Sequence, residues 1–171
     1  MASKSVRLYR GKASLEKSQH PITGRLEGLL EDFRAKKAGH VAVGVIDGSG
    51  GEQTEDGITI AGLAVVHEFG APRVGIPARL PMTLTLEQKA EAIQEAQRRL
   101  GLSIMQGRPT AEALGLLGEF VSSEIRNTIQ QGLEPPNSEK TIERKGSSKP
   151  LIDSGRLINS YTYDVRLPEE K

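Results

Sequence analysis

A chain of 171 residues is long enough for one domain with a proper core, which would bury roughly 70% of the surface exposed on unfolding. It has no cysteine, which excludes disulfides, thiolate metal sites and a cysteine nucleophile, and its net charge of +1 argues against a general polyanion binder. It has no apolar run of about 18 residues and no leader pattern, so the expectation is a chain that neither spans a membrane nor enters the secretory route.

Residues 1–24 carry Lys4, Arg7, Arg10, Lys12 and Lys17 against the single acid Glu16, with no sustained apolar period. They read as an N-terminal arm, with residues 25–171 as one α+β domain. The arm is either a solvated terminus or a segment that orders on a neighbouring subunit or near DNA phosphates. From Thr23 the spacing of Leu26, Leu29, Leu30 and Phe33 predicts a helix that stops at Gly39. Val41, Val43 and Val45 then alternate as in a strand, and the polar, glycine-rich stretch from Asp47 to Gly57 predicts a mobile loop.

A second helix is predicted from about Thr59 to Phe69, ended by Gly70 in a left-handed conformation. Pro72, Pro77 and Pro81 impose an extended path. Met82, Leu84 and Leu86 alternate with threonines and predict a short strand, followed by a helix that Thr85 and Gln88 would cap and Gly101 would end. A long helix follows from about Thr110 to Gln131, with Leu114, Leu117, Val121, Ile125 and Ile129 as its stripe. Gly115 and Gly118 on this helix would admit a second backbone. Residues 132–149 read as a loop bearing Lys140, Arg144, Lys145 and Lys149. Asp153 would cap a short helical turn through Asn159, and Tyr161, Tyr163 and Val165 predict a last strand. Strands interleaved with helices and long loops imply a small antiparallel or mixed sheet covered by helices.

Catalytic patterns are not evident. His67-Glu68 begins like a zinc-protease helix, but position 71 is alanine where that motif needs a second histidine. Gly48-Ser49-Gly50-Gly51 follows a strand yet lacks the lysine and spacing of a phosphate loop. Ser154 and Ser160 have no histidine in their motif, so nucleophilic catalysis has no support. The expectation is a protein without enzymatic activity, metal or cofactor. The basic run from Lys140 to Lys149 has no interleaved aromatics for base stacking and reads as a solvated loop or a nucleic-acid contact.

Two signatures are specific in order and spacing. The first is His67-Glu68-Phe69-Gly70-Ala71-Pro72 with Gly75-Ile76-Pro77-Ala78-Arg79; the second is Pro150-Leu151-Ile152-Asp153-Ser154-Gly155-Arg156-Leu157-Ile158-Asn159-Ser160. Over roughly residues 41–166 they resemble the neck, tail-completion or minor tail proteins of tailed bacteriophages. In that family a Glu-Phe-Gly triplet leads into Ile-Pro-Ala-Arg, and Asp-Thr-Gly-Arg-Leu lies near the C-terminus. Serine replaces the threonine here, and Leu80-Pro81-Met82-Thr83 stands where the family continues Pro-Phe-Leu-Arg.

The resemblance implies a virion protein made in the host cytoplasm. It would form a six- or twelve-fold ring at the head-to-tail junction, bound to the head connector and tail proteins around the DNA channel. A tail terminator, a nucleic-acid-binding accessory protein and an assembly chaperone are the alternatives. Glu68, Phe69, Gly70, Ile76, Pro77, Ala78, Arg79, Asp153, Gly155, Arg156 and Leu157 would form the structural motif. In it Phe69 would anchor a helix end, while Asp153, Gly155 and Arg156 would form a charge-fixed turn. Arg7, Arg10, Lys12, Lys140, Arg144 and Lys145 are the candidate arm and loop contacts.

Overall fold

Alternating valines produce strand β1 (His40–Val45), and the Tyr161/Tyr163/Val165 alternation produces β2 (Tyr161–Arg166). The strands pair antiparallel, with His40 opposite Arg166, Val43 opposite Tyr163 and Val45 opposite Tyr161. The computed structural model describes residues 39–46, 51–54, 57–145, 150–151 and 155–168, together with Gly28 and Glu31; the side chains of Lys140, Arg144 and Lys145 fall outside that description. Gly28 and Glu31 are helical, and the rest of the helix predicted from Thr23 lies outside the described residues.

A two-stranded ribbon is marginal in water, and here the long helix predicted over Thr110–Gln131 supplies the missing layer. In chain order the helices are α1 (Ile60–Phe69), α2 (Pro81–Gln88), α3 (Ala90–Met105), α4 (Thr110–Gln131), α5 (Glu139–Lys145) and α6 (Arg156–Ser160). Helix α4 lies against both strands and against α2, α3 and α6, so the fold is α+β with α4 at its centre. Its Val121, Ile125 and Ile129 are buried with Ile60 of α1, Leu157 and Ile158 of α6, and Tyr161 of β2. Ser122 and Thr128 are buried on α4 as well, but each hydroxyl donates to a carbonyl one turn back, Glu119 O at 3.1 Å and Glu124 O at 3.0 Å.

The ribbon seats on α4 through an aromatic ring. A Cβ added at Gly118 would lie 2.5–2.7 Å from Tyr163 ring and Cβ atoms, so the glycine receives a side chain rather than the second backbone expected from sequence. Arg126 of α4 donates from Nη1 to Tyr161 O at 2.6 Å, fixing the α6–β2 junction. Lys89, at the α2–α3 corner, reaches Glu124 at 2.9 Å.

The structure corrects several sequence expectations. Met82, Leu84 and Leu86 belong to helix α2, not a strand. Proline at its first position is preorganised for a helix, and the buried pair Pro81 and Thr85 has the spacing of one turn. Thr85 therefore caps nothing; its Oγ1 donates to Pro81 O at 2.7 Å inside α2. Helix α3 continues through Gly101 to Met105, since nothing crowds that position and a glycine alone does not stop a helix. Within the loop expected from Asp47 to Gly57, the described residues next to α1 carry backbone hydrogen bonds, Thr54 N to Ile58 O and Ile60 N to Glu52 O, both at 2.8 Å, and the remainder lies outside the described residues. The segment after Gly132 contains α5, whose start is satisfied by Ser138: its carbonyl accepts from Thr141 N and Ile142 N at 2.8 and 2.9 Å.

Gly118→Ala should therefore cost about 1–3 kcal/mol by driving a methyl into the Tyr163 ring, whereas Gly101→Ala in open helix should gain roughly 0.5–1 kcal/mol. Thermal melts of the two variants, read side by side, check this ordering.

Candidate functional site

Helix α1 begins at Thr59, whose Oγ1 accepts from Gly62 N at 3.0 Å, and ends at Gly70. Gly70 has φ 75° and ψ 171°, an extended conformation with positive φ rather than the left-handed helical one expected. A Cβ there would lie 2.7 Å from Ala78 N and 3.0 Å from Ile76 O, so only glycine lets the chain double back so closely. Ala71 and Ile76 then exchange two backbone hydrogen bonds, 2.8 and 3.1 Å, around a 3-10 turn at Pro72–Val74. The carbonyl of His67, left over at the helix end, accepts from Arg79 N at 2.8 Å and Leu80 N at 3.3 Å. The stretch from His67 to Arg79 is thus a closed loop, with Pro77 and Ala78 exposed and Ile76 half-buried.

Glu68 and Arg79 are the polar anchors of this loop, and both are almost fully buried, at 8% and 7% exposure. The Glu68 carboxylate caps α2 from fourteen residues upstream. Oε2 accepts from Met82 N at 3.0 Å, while Oε1 accepts from Thr83 N at 3.0 Å and Thr83 Oγ1 at 2.6 Å. Helix α2 needs this because Leu80, at its N-cap position, offers no side-chain acceptor and sits in the left-handed region at φ 53°, ψ 44°. A carboxylate at that end also meets the positive pole of the helix. The grip overcomes the cost of holding a leucine there, of order 1–2 kcal/mol.

Arg79 points the other way. Its Nε donates to Pro135 O at 3.0 Å, and Nη2 reaches Pro136 O and Asn137 Oδ1, each at 3.5 Å. Burial lowers the affinity of its guanidinium for the proton. The start of the 132–149 segment, read from sequence as a loop, is thereby tied to the first signature.

The second signature comes to the same place. Leu157 and Ile158 of α6 enter the core, α6 packs against α1, and Gly155 occupies the N-cap position with φ 78°. Gly155 itself offers no side-chain cap to α6, and Asp153, expected to supply one, lies outside the described residues. Arg156 reaches Glu52 at 3.4 Å across the surface, a solvated pair linking α6 to the turn before α1. Tyr161 comes directly after α6. It is buried, and among the described residues its hydroxyl has no hydrogen-bond partner. Burial, and secondarily the Glu68 carboxylate, raise its phenol above the ordinary value near 10.

Phe69 departs from expectation most. Instead of anchoring a helix end it is 71% exposed, because the chain turns at Gly70 and leaves the ring on the outer side of α1. Arg7, Arg10 and Lys12 lie outside the described residues, and Lys140, Arg144 and Lys145 fall on the backbone of α5. Sequence reading missed Tyr161 as a partner of the Glu68 region and Pro135–Asn137 as the seat of Arg79. The signal available was a lone arginine leaving a proline-rich turn, which does not say where the side chain lands.

Among the described residues no three histidine, aspartate or glutamate side chains are placed to hold a metal ion. Both oxygens of Glu68 are already engaged with α2, so the geometry supports bracing at this position. Comparison with protein-family models found no match. Comparisons with curated proteins and with solved structures found none either.

Glu68→Ala should destabilise by about 1–3 kcal/mol, because two part-buried amide donors lose their acceptor. Arg79→Ala should instead expose the 133–137 segment, measured as faster amide exchange there with smaller change at α2. Tyr161→Phe gives a third expectation, with sign fixed by linkage. A raised folded-state value means the unfolded chain ionises first, so the contribution is complete below about pH 10 and is lost as pH climbs above it. Tyr161→Phe should match the parent within about 1 kcal/mol at neutral pH and lose less stability above about pH 10. Denaturant titrations at pH 8 and pH 11 check this.

Proposed function

We propose that this chain is a non-enzymatic structural protein of a tailed-phage virion, forming a ring at the head-to-tail junction and working without metal or cofactor. The observation that carries the reading is the convergence of the two signatures through which the chain resembles the neck and tail-completion family. Their polar groups are spent on bracing: Glu68 on α2, Arg79 on the 135–137 turn. Phe69, in contrast, is turned outward, where it is available for contact with another protein. A domain whose signature residues hold loops in shape and present apolar surface suits assembly better than chemistry.

On this reading the partners are further copies of the chain, the head connector and tail proteins, and the DNA that passes through the channel. Ring closure requires heterologous contacts related by rotation. The basic arm and the residues of α5 are candidates for reaching adjacent subunits or DNA.

The test is genetic and structural. Particles made without this gene product should accumulate as filled heads beside unattached tails, and adding the purified protein should restore joined, infectious particles. Electron microscopy with labelled protein should place it at the junction. Normal virions in its absence, or label confined elsewhere, would contradict the proposal.

A further inference from the structure

Helix α1 has the sequence Ile-Ala-Gly-Leu-Ala-Val-Val-His-Glu-Phe, and its ionisable groups lie away from its exposed face: Glu68 is buried and His67 is half-buried. The outer face of the helix itself carries no charged residue; the exposed Arg73 lies on the turn that follows it. Ile58, just before the helix, is 45% exposed, Val65 56%, and Phe69 71%, at the spacing of one helical side; Val74, on the adjoining loop, is 71% exposed. A helix apolar on both sides belongs in an interior, and ten residues are too few to cross a bilayer. These four side chains expose on the order of 400 Å² of apolar surface, within the size range of patches that are often functional on soluble monomers.

We propose that the outer face of α1 pairs with the same face of a second copy about a two-fold axis at Val65. The argument is self-complementarity. Phe69, the largest projection, lies one turn after Val65, and Ala61, the smallest side chain on the stripe, lies one turn before it. Rotating a second α1 antiparallel about Val65 sets each phenylalanine over Ala61 of the other copy, a knob against a gap. Neither helix brings a charge to the meeting, and the exposed cation beside Val74, Arg73, belongs to the adjoining turn. The antiparallel arrangement also opposes the two helix dipoles. Two such faces bury on the order of 800 Å² of apolar surface together, about half of a standard interface before its rim is counted.

This contact deepens the assembly reading by naming a surface, and it is separate from the heterologous contact that closes a ring. It joins free subunits in pairs.

The native chain has no cysteine, so Val65→Cys introduces the only thiol. Mild oxidation of that variant should give a disulfide-linked dimer as the main product, since residues on the axis of a close helix pair fall within disulfide reach. Sedimentation equilibrium of the parent chain should show a dimer. Phe69→Glu and the milder Phe69→Ser should each weaken it at least tenfold, with a melting temperature that matches the parent's at concentrations where both are monomeric, because the ring is exposed in the single subunit. A parent chain that stays monomeric overturns the pairing. So does dimerisation that is indifferent to both Phe69 variants, or a Val65→Cys chain that oxidation leaves uncoupled. If the protein nevertheless joins heads to tails, the assembly reading stands and only the pairing fails.

Discussion

The grip of the Glu68 carboxylate on the first turn of α2 is the constraint on which the middle of the chain depends. Helix α2 starts immediately after a leucine in a left-handed conformation and has no cap of its own, while Pro81 and Thr85 in its first turns are buried. Its leading amides, on the half-buried Met82 and Thr83, are partly shielded from water, and a shielded donor left without an acceptor is expensive. Glu68 supplies the acceptors and fixes the end of α1 to the start of α2 in one contact. The rest of α2 inherits that position. Met82 is set against Gly44 of β1, where a Cβ would meet its terminal methyl at 3.6 Å, and Lys89 is set within reach of Glu124 on α4.

The fold was legible where one period ruled. The valines of β1, the tyrosines of β2 and the long stripe of α4 each gave the element they predict, and α4 ends where expected. The α2 segment misled because Met82-Thr83-Leu84-Thr85-Leu86 satisfies a strand period while the burial that decides it runs from Pro81 to Thr85, one helical turn. Proline at a first helical position was the competing signal. Local pattern also could not reveal that Gly118 receives an aromatic ring from the distant strand β2, because that is tertiary packing.

The candidate site was legible as sequence but not as geometry. The signatures drew attention to Glu68, Phe69 and Arg79, yet the division of labour among them depends on which way the chain turns at Gly70. That turn buries Glu68 and Arg79, closes the loop through Ala71 and Ile76, and leaves Phe69 outside. A sequence reader assigns phenylalanine to the inside by default. Here the buried positions go to charged side chains because each finds acceptors or donors in place: helix amides for Glu68 and carbonyl oxygens for Arg79. Bracing of this kind is a property of the fold, and the assembly function proposed for it rests on what the braced loop presents outward.

Native-state amide exchange at Met82 and Thr83 tests the bracing account most directly. If Glu68 holds these amides, both should exchange only through global unfolding in the parent chain, and both should become fast in Glu68→Ala while the amides of α4 stay protected. Rapid exchange at Met82 and Thr83 in the parent chain, or unchanged protection after the substitution, would contradict the claim that this carboxylate fixes the loop.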